Sequence, residues 1–131
     1  MVSPIPTPSQ PWVAGPYSGA VRAGDWVVLA GQVGVDPATG EPPEGGLLPQ
    51  ADQALRNVEA ILGDCGLGWG DVARVTQFLA DPDPGTMAAL GALYVEHVGE
   101  HRPARTTVGV AWLPLGLLVE FEVLAYQREA T

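Results

Sequence analysis

The sequence contains no lysine, and its six arginines (Arg22, Arg56, Arg74, Arg102, Arg105 and Arg128) stand against fifteen acidic residues for a formal net charge of −9. Without a lysine amine the protein cannot form a Schiff base, either with pyridoxal phosphate or with a carbonyl substrate. The arginines are also scattered, and only Arg102 and Arg105 lie close together. A phosphate backbone needs clustered cations, so nucleic acid is disfavoured as a partner. Cys65 is the only cysteine, which excludes an internal disulfide, a CxxC redox pair and a thiolate metal cluster. It falls on the apolar face of a predicted helix and reads as buried filler. Of the two histidines, His97 and His101 are four apart, but Gly99 lies between them and no HExxH-type carboxylate surrounds them. They read as helix-end residues rather than metal ligands. There is no apolar run of about 18 or more residues to span a membrane, and the start of the chain has neither a basic nor an apolar leader region. The expectation is a soluble, cytoplasmic protein with no membrane partner.

The 131 residues fit a single domain that buries roughly two thirds of its unfolded surface. Residues 1–14 carry Pro4, Pro6, Pro8 and Pro11 and predict an extended, polyproline-like surface arm, ahead of a domain over 15–131. Tyr17–Val21 and Trp26–Val35 read as two strands joined by a turn at Ala23-Gly24-Asp25. A Pro/Gly-rich loop from Asp36 to Gly46 follows. Ala54, Leu55, Val58, Ile61, Leu62 and Cys65 then recur at helical spacing between Pro49 and the stop at Gly66. Val72–Leu79 reads as a strand. Met87, Leu90, Leu93, Tyr94, His97 and Val98 form a second helical stripe ending at Gly99, and Arg105–Ala111 and Leu117–Tyr126 are the last strands. The predicted class is α+β, a mixed sheet with both helices packed on one face.

The last strand decides assembly. One face carries Leu117, Val119, Phe121, Val123 and Ala125; the other carries Leu118, Glu120, Glu122, Leu124 and Tyr126. Neither face is plainly solvated, and with only two helices to cover one of them, the other predicts contact with another subunit.

Two charges on these strands are candidates for chemistry. Arg105 brings a permanent cation into a β-favouring run, Pro103 to Val110, and its planar fork matches a carboxylate with two parallel hydrogen bonds. It reads either as the anchor of a small carboxylic acid or as half of a structural ion pair. Glu120, on a half-buried strand, is costly unless paired or used. It either positions or deprotonates a water or forms a salt bridge, with Arg105 as one possible partner.

Gly15-Pro16-Tyr17-Ser18, Gly31-Gln32-Val33 with Asp36-Pro37-Ala38-Thr39-Gly40, Asn57-Val58, Pro103-Ala104-Arg105-Thr106, Leu113-Pro114 and Val119-Glu120-Phe121-Glu122 occur in that order. Together they resemble the reactive intermediate deaminase family (RidA/YjgF), from about Ile5 to Tyr126. The resemblance implies a chorismate-mutase-like fold and a homotrimer with sites in the clefts between subunits. It also implies hydrolysis of enamines and imines, such as 2-aminoacrylate, to 2-oxo acids and ammonia. In that scheme Arg105 pairs with the substrate carboxylate and Glu120 holds the attacking water. Tyr17 closes the pocket from the neighbouring subunit, and backbone groups at Gly31 and Thr107 bind the nitrogen and the water. No metal or organic cofactor is implied.

The chain departs from the family pattern at Ala30 (often serine), Gly91 (commonly asparagine), Thr107 (frequently cysteine) and Gly19 (usually glutamine). The first three predict a pocket of altered shape or preference. A non-catalytic trimer that binds a 2-oxo acid at Arg105 is the alternative from another class. Ribonuclease activity, known among relatives, fits poorly with the charge.

Overall fold

Alternation on one central strand organises the molecule, which is described here from a computed structural model over residues 1–11 and 15–128. The strands are β1 (Val2–Ile5), β2 (Ala20–Ala23), β3 (Trp26–Leu29), β4 (Gln32–Val33), β5 (Val72–Ala80), β6 (Ala104–Val110) and β7 (Val119–Tyr126). The helices are α1 (Leu47–Asp64) and α2 (Met87–Val98). The strands make one sheet in the order β1-β2-β3-β7-β5-β6, with β4 also paired to β7. Only β5 and β6 run parallel, joined through α2; the other pairs are antiparallel. Among the described residues no helix is long and apolar enough to cross a membrane.

On β7, Val119, Phe121, Val123 and Ala125 are buried in one cluster with Leu55, Val58, Ile61 and Leu62 of α1 and Leu90, Tyr94 and Val98 of α2. The mixed sheet with both helices on one side is therefore as the sequence predicted. The opposite face leaves Trp26, Val28, Val108 and Tyr126 exposed, with Trp26 and Tyr126 edge to face at 4.9 Å.

Three expectations change in detail. The proline-rich arm joins the sheet: Val2–Ile5 pairs along β2, with Pro4 opposite Val21. Its missing N–H is tolerated because β1 is an edge strand. Beyond it, the backbone N–H of Ser9 donates to Asp64 at the end of α1, 3.1 Å away, while Trp12 to Ala14 lie outside the described residues. The strand expected from Tyr17 starts only at Ala20.

The strand expected to run unbroken from Trp26 to Val35 stops at Leu29 and resumes at Gln32. Val27 pairs with Ala125, but Gln32 pairs with Phe121, one residue out of step. A one-residue slip exchanges the faces of a strand, so Gln32 turns inward and space opens beside Ala30 and Gly31. Polar side chains of α1 hold the displaced segment. Asn57 Nδ2 donates to the carbonyls of Val33 (3.0 Å) and Val35 (2.8 Å), and Gln50 Oε1 accepts from the Leu118 N–H at 2.9 Å.

Helix α1 closes as predicted at Gly66. With φ +75° that residue lets Leu67 N–H reach the Leu62 carbonyl (2.8 Å) and Gly66 N–H the Gly63 carbonyl (3.0 Å), a Schellman closure. Cys65 packs against the core. Burial, then the charge of Asp64, push its thiol pKa up against the opposing pull of Arg22, which suits a filler rather than a nucleophile.

The two histidines do unlike jobs. His101 Nε2 bonds the Val72 carbonyl at 2.8 Å. His97 of α2 is clamped between two carboxylates of α1: Nε2 meets Asp52 at 2.7 Å and Nδ1 meets Glu59. Arg56 also pairs with Asp52, and Trp69 Nε1 donates to Glu59. Burial lowers the His97 pKa, but the hydrogen bonds and charges of Asp52 and Glu59 more than offset it, leaving it above 6.5. The clamp therefore stabilises the fold fully below pH 6.5 and loses its effect as pH rises through the raised value. His97→Gln is expected to cost about 1–2 kcal/mol at pH 6 and clearly less at pH 9, measured by urea unfolding at the two pH values.

Candidate active site

Glu120 sits on β7 between the buried Val119 and Phe121 and faces away from the helices. It lies at the wall of a cavity of about 620 Å³, which Tyr17, Ala30, Gly31, Pro114 and Leu115 also line. The register slip creates this space. A Cβ on residue 31 would stand 2.2 Å from Glu120 Oε1, so glycine lets the backbone pass close to the carboxylate, and a side chain there would push the carboxylate aside. Burial, and after it the charge of Glu122, raise the Glu120 pKa. Among the described residues it has no ion-pair partner. A carboxylate in this state suits the taking and returning of a proton.

Arg105 lies elsewhere. In the β5–β6 ladder it pairs with Val75 and Thr107 pairs with Gln77. Val75 and Gln77 pair with Val123 and Phe121 on β7. Paired residues share a face, so Arg105 and Thr107 are on the helix side of the sheet, at its edge, and Glu120 is on the other side. The Arg105 guanidinium stacks 4.6 Å from the Tyr94 ring of α2, in a hollow of about 360 Å³ shared with Gly91, Arg102 and Pro103. It is exposed, and among the described residues no carboxylate pairs with it. The salt bridge between Arg105 and Glu120, open on the sequence, does not form.

Tyr17, Gly31 and Glu120 thus come together within one chain, and Arg105 and Thr107 form a second group. Tyr17, expected to reach the site from a neighbouring subunit, shares its cavity with Glu120; the part standing apart is the arginine strand. Ala30 lines the first group's cavity and Gly91 the second group's hollow, where a Cβ on residue 91 would meet only open space. At residue 19 a Cβ would meet Thr7 Oγ1 at 2.5 Å, so the glycine there follows from the path of the arm.

Two supporting residues escaped sequence reasoning. By its spacing Tyr94 belongs to a core stripe, yet its ring carries the Arg105 guanidinium. Gln77 donates through Nε2 to Thr107 Oγ1 at 3.3 Å. A glutamine at an inward position between Val75 and Leu79 was the available signal.

The sequence profile of the family described as Endoribonuclease L-PSP matches residues 7–127. A RutC family protein of Pyrococcus horikoshii is 40% identical over 122 residues, covering 93% of this chain and 95% of the relative. The 2-iminobutanoate/2-iminopropanoate deaminase of Mus musculus is 39% identical over 123 residues, 94% and 90% of the two chains. Among solved structures, E. coli TdcF with bound serine superposes with a TM-score of 0.85 at 34% identity, covering 95% of this chain and 98% of that one.

Two outcomes test the carboxylate's setting. A raised pKa on an acid means stability that is complete below pH 4.5 and lost as pH rises through the folded value. Glu120→Gln is therefore expected to melt several degrees above wild type at pH 7.5, with the gap closing by pH 4, in calorimetric scans. Gly31→Ala forces the carboxylate to move, costing about 1–3 kcal/mol and changing the Glu120 titration followed by carbon-13 NMR.

Proposed function

The chain belongs to the Endoribonuclease L-PSP family, that of the RidA/YjgF proteins, and on that premise we propose that it hydrolyses small 2-imino acids and their enamine tautomers to 2-oxo acids and ammonia. The observation that carries this reading is the presence of an arginine and a half-buried carboxylate, each without an ion-pair partner among the described residues, on opposite faces of one sheet. A site that needs both must be built from two copies of the chain. The exposed Trp26, Val28, Val108 and Tyr126 supply an apolar face for such a contact, and a homotrimer closes it by symmetry.

In the cleft, Arg105 holds the substrate carboxylate through two charge-assisted hydrogen bonds. Tyr94 beneath the guanidinium keeps it flat and forward. The imine carbon is electrophilic once its nitrogen is protonated. A water on Glu120 loses a proton to the carboxylate as its oxygen bonds to that carbon, and the carbon–nitrogen double bond becomes single. Glu120 returns the proton to the nitrogen; as ammonia leaves, the hydroxyl gives its remaining proton to the freed Glu120 carboxylate, and its oxygen becomes the carbonyl of the 2-oxo acid. The backbone at Gly31 and Thr107 lies on the two sides of this path. The relatives named as iminobutanoate/iminopropanoate deaminases and the serine held by a protein of the same fold support a small substrate bearing a carboxylate. RNA, which the family's description suggests, suits neither a net charge of −9 nor the absence of lysine. The expected setting is the cytoplasm, without cofactor.

With 2-aminoacrylate generated in situ and ammonia release followed, Arg105→Ala and Glu120→Gln are each expected to lower kcat/KM by about 100-fold or more. No acceleration by wild type would sink the reading. It would leave the same trimer as a 2-oxo acid binder. Coexpressing the two inactive variants tests the shared site. Mixed trimers should regain about a quarter of wild-type activity if each site takes Glu120 from one copy and Arg105 from the next, and none if a site lies within one chain.

A further inference from the structure

Gln77 occupies a position where a hydrocarbon would be the cheaper choice. It is 4% exposed on the helix-covered face of β5, between the buried Val75 and Leu79, and in register it stands between Phe121 of β7 and Thr107 of β6. Its Oε1 is buried without a hydrogen-bond partner, and its Nε2 bonds only Thr107 Oγ1, at 3.3 Å. The side chain therefore ties down no helix or loop. Its one bond goes to the strand that carries Arg105, two residues along the same face.

A hydroxyl has one proton to donate and two lone pairs. With the Gln77 amide N–H directed at Thr107 Oγ1, the remaining capacity of that exposed hydroxyl includes its proton, free for whatever lies beside Arg105. We propose that Gln77 is a positioning residue that makes Thr107 a hydrogen-bond donor to an oxygen on the carbon next to the anchored carboxylate. The site then selects 2-oxo acids, and the oxygen that water adds to C2 during turnover, over carboxylates with no such oxygen. This rests on the reading of Arg105 as the carboxylate anchor and adds the preference for the C2 oxygen. The departure at position 107 thereby gains a purpose that a weakly bonding thiol would serve poorly.

Calorimetric titration with 2-oxobutanoate and butanoate is the test. Wild type should favour the oxo acid about tenfold or more. Thr107→Val should abolish the preference, Thr107→Ser should recover it relative to valine, and Gln77→Met should reduce it to about threefold. Because a half-satisfied buried amide gives way to an apolar side chain of similar volume, Gln77→Met should melt at or above the wild-type temperature. In the Thr107→Val background it should change nothing further. The inference is overturned if Gln77→Met keeps the full preference, or if it weakens both acids equally and lowers the melting temperature. Wild type binding both acids equally, with Arg105→Ala binding neither, overturns the inference and leaves the anchor standing. Wild type binding neither overturns both.

Discussion

The sidedness of β7 is the constraint on which the rest depends. Val119, Phe121, Val123 and Ala125 are committed to the core, so every residue between them is committed to the other face. Glu120 cannot be moved inward without turning the whole strand over. The neighbours β3, β4 and β5 inherit the same division through their pairing with it. At β4 a slip of one residue exchanges the faces, turning Gln32 inward and Val33 outward, and that irregularity opens the space beside Glu120. Packing thus places the carboxylate, and an imperfection in pairing leaves it at the wall of a cavity.

Polar groups of α1 and α2 turn this arrangement into fixed geometry. Asn57 grips the carbonyls at the end of the displaced strand and just beyond it, Gln50 holds the approach to β7, and His97 locks α2 against α1. Since Tyr94 of α2 bears the Arg105 guanidinium, the histidine clamp and that stacked pair belong to one chain of contacts. None of these groups needs to touch a ligand. They are the reason the groups that do are held in place.

The strands, the helices and their sidedness were legible because they follow from the spacing of apolar residues. Leu55, Val58 and Ile61 mark a helix face, and Val119 to Ala125 a buried strand face. The break after Leu29 was not legible: Trp26 to Val35 has uniform strand character, and the slip shows only in the pairing with β7. Arg105 and Glu120 stood out as charges in apolar strands. Their placement on opposite faces was hidden, since it depends on the parallel register of β5 and β6, which composition does not encode. His97 looked idle because its partners, Asp52 and Glu59, lie 45 and 38 residues away in sequence.

The two edges of the sheet are unequal. On one side β1 is four residues long and carries a proline, so it offers a poor template to another chain. On the other side β6 presents seven residues, ARTTVGV, with one charge among them. Sheet edges invite unwanted pairing, and a charged side chain is a common guard against it. Arg105 is the one charge on the longer edge, the kind of residue that guards such an edge. A substitution that removed this guanidinium would leave a seven-residue edge strand with no charge on it.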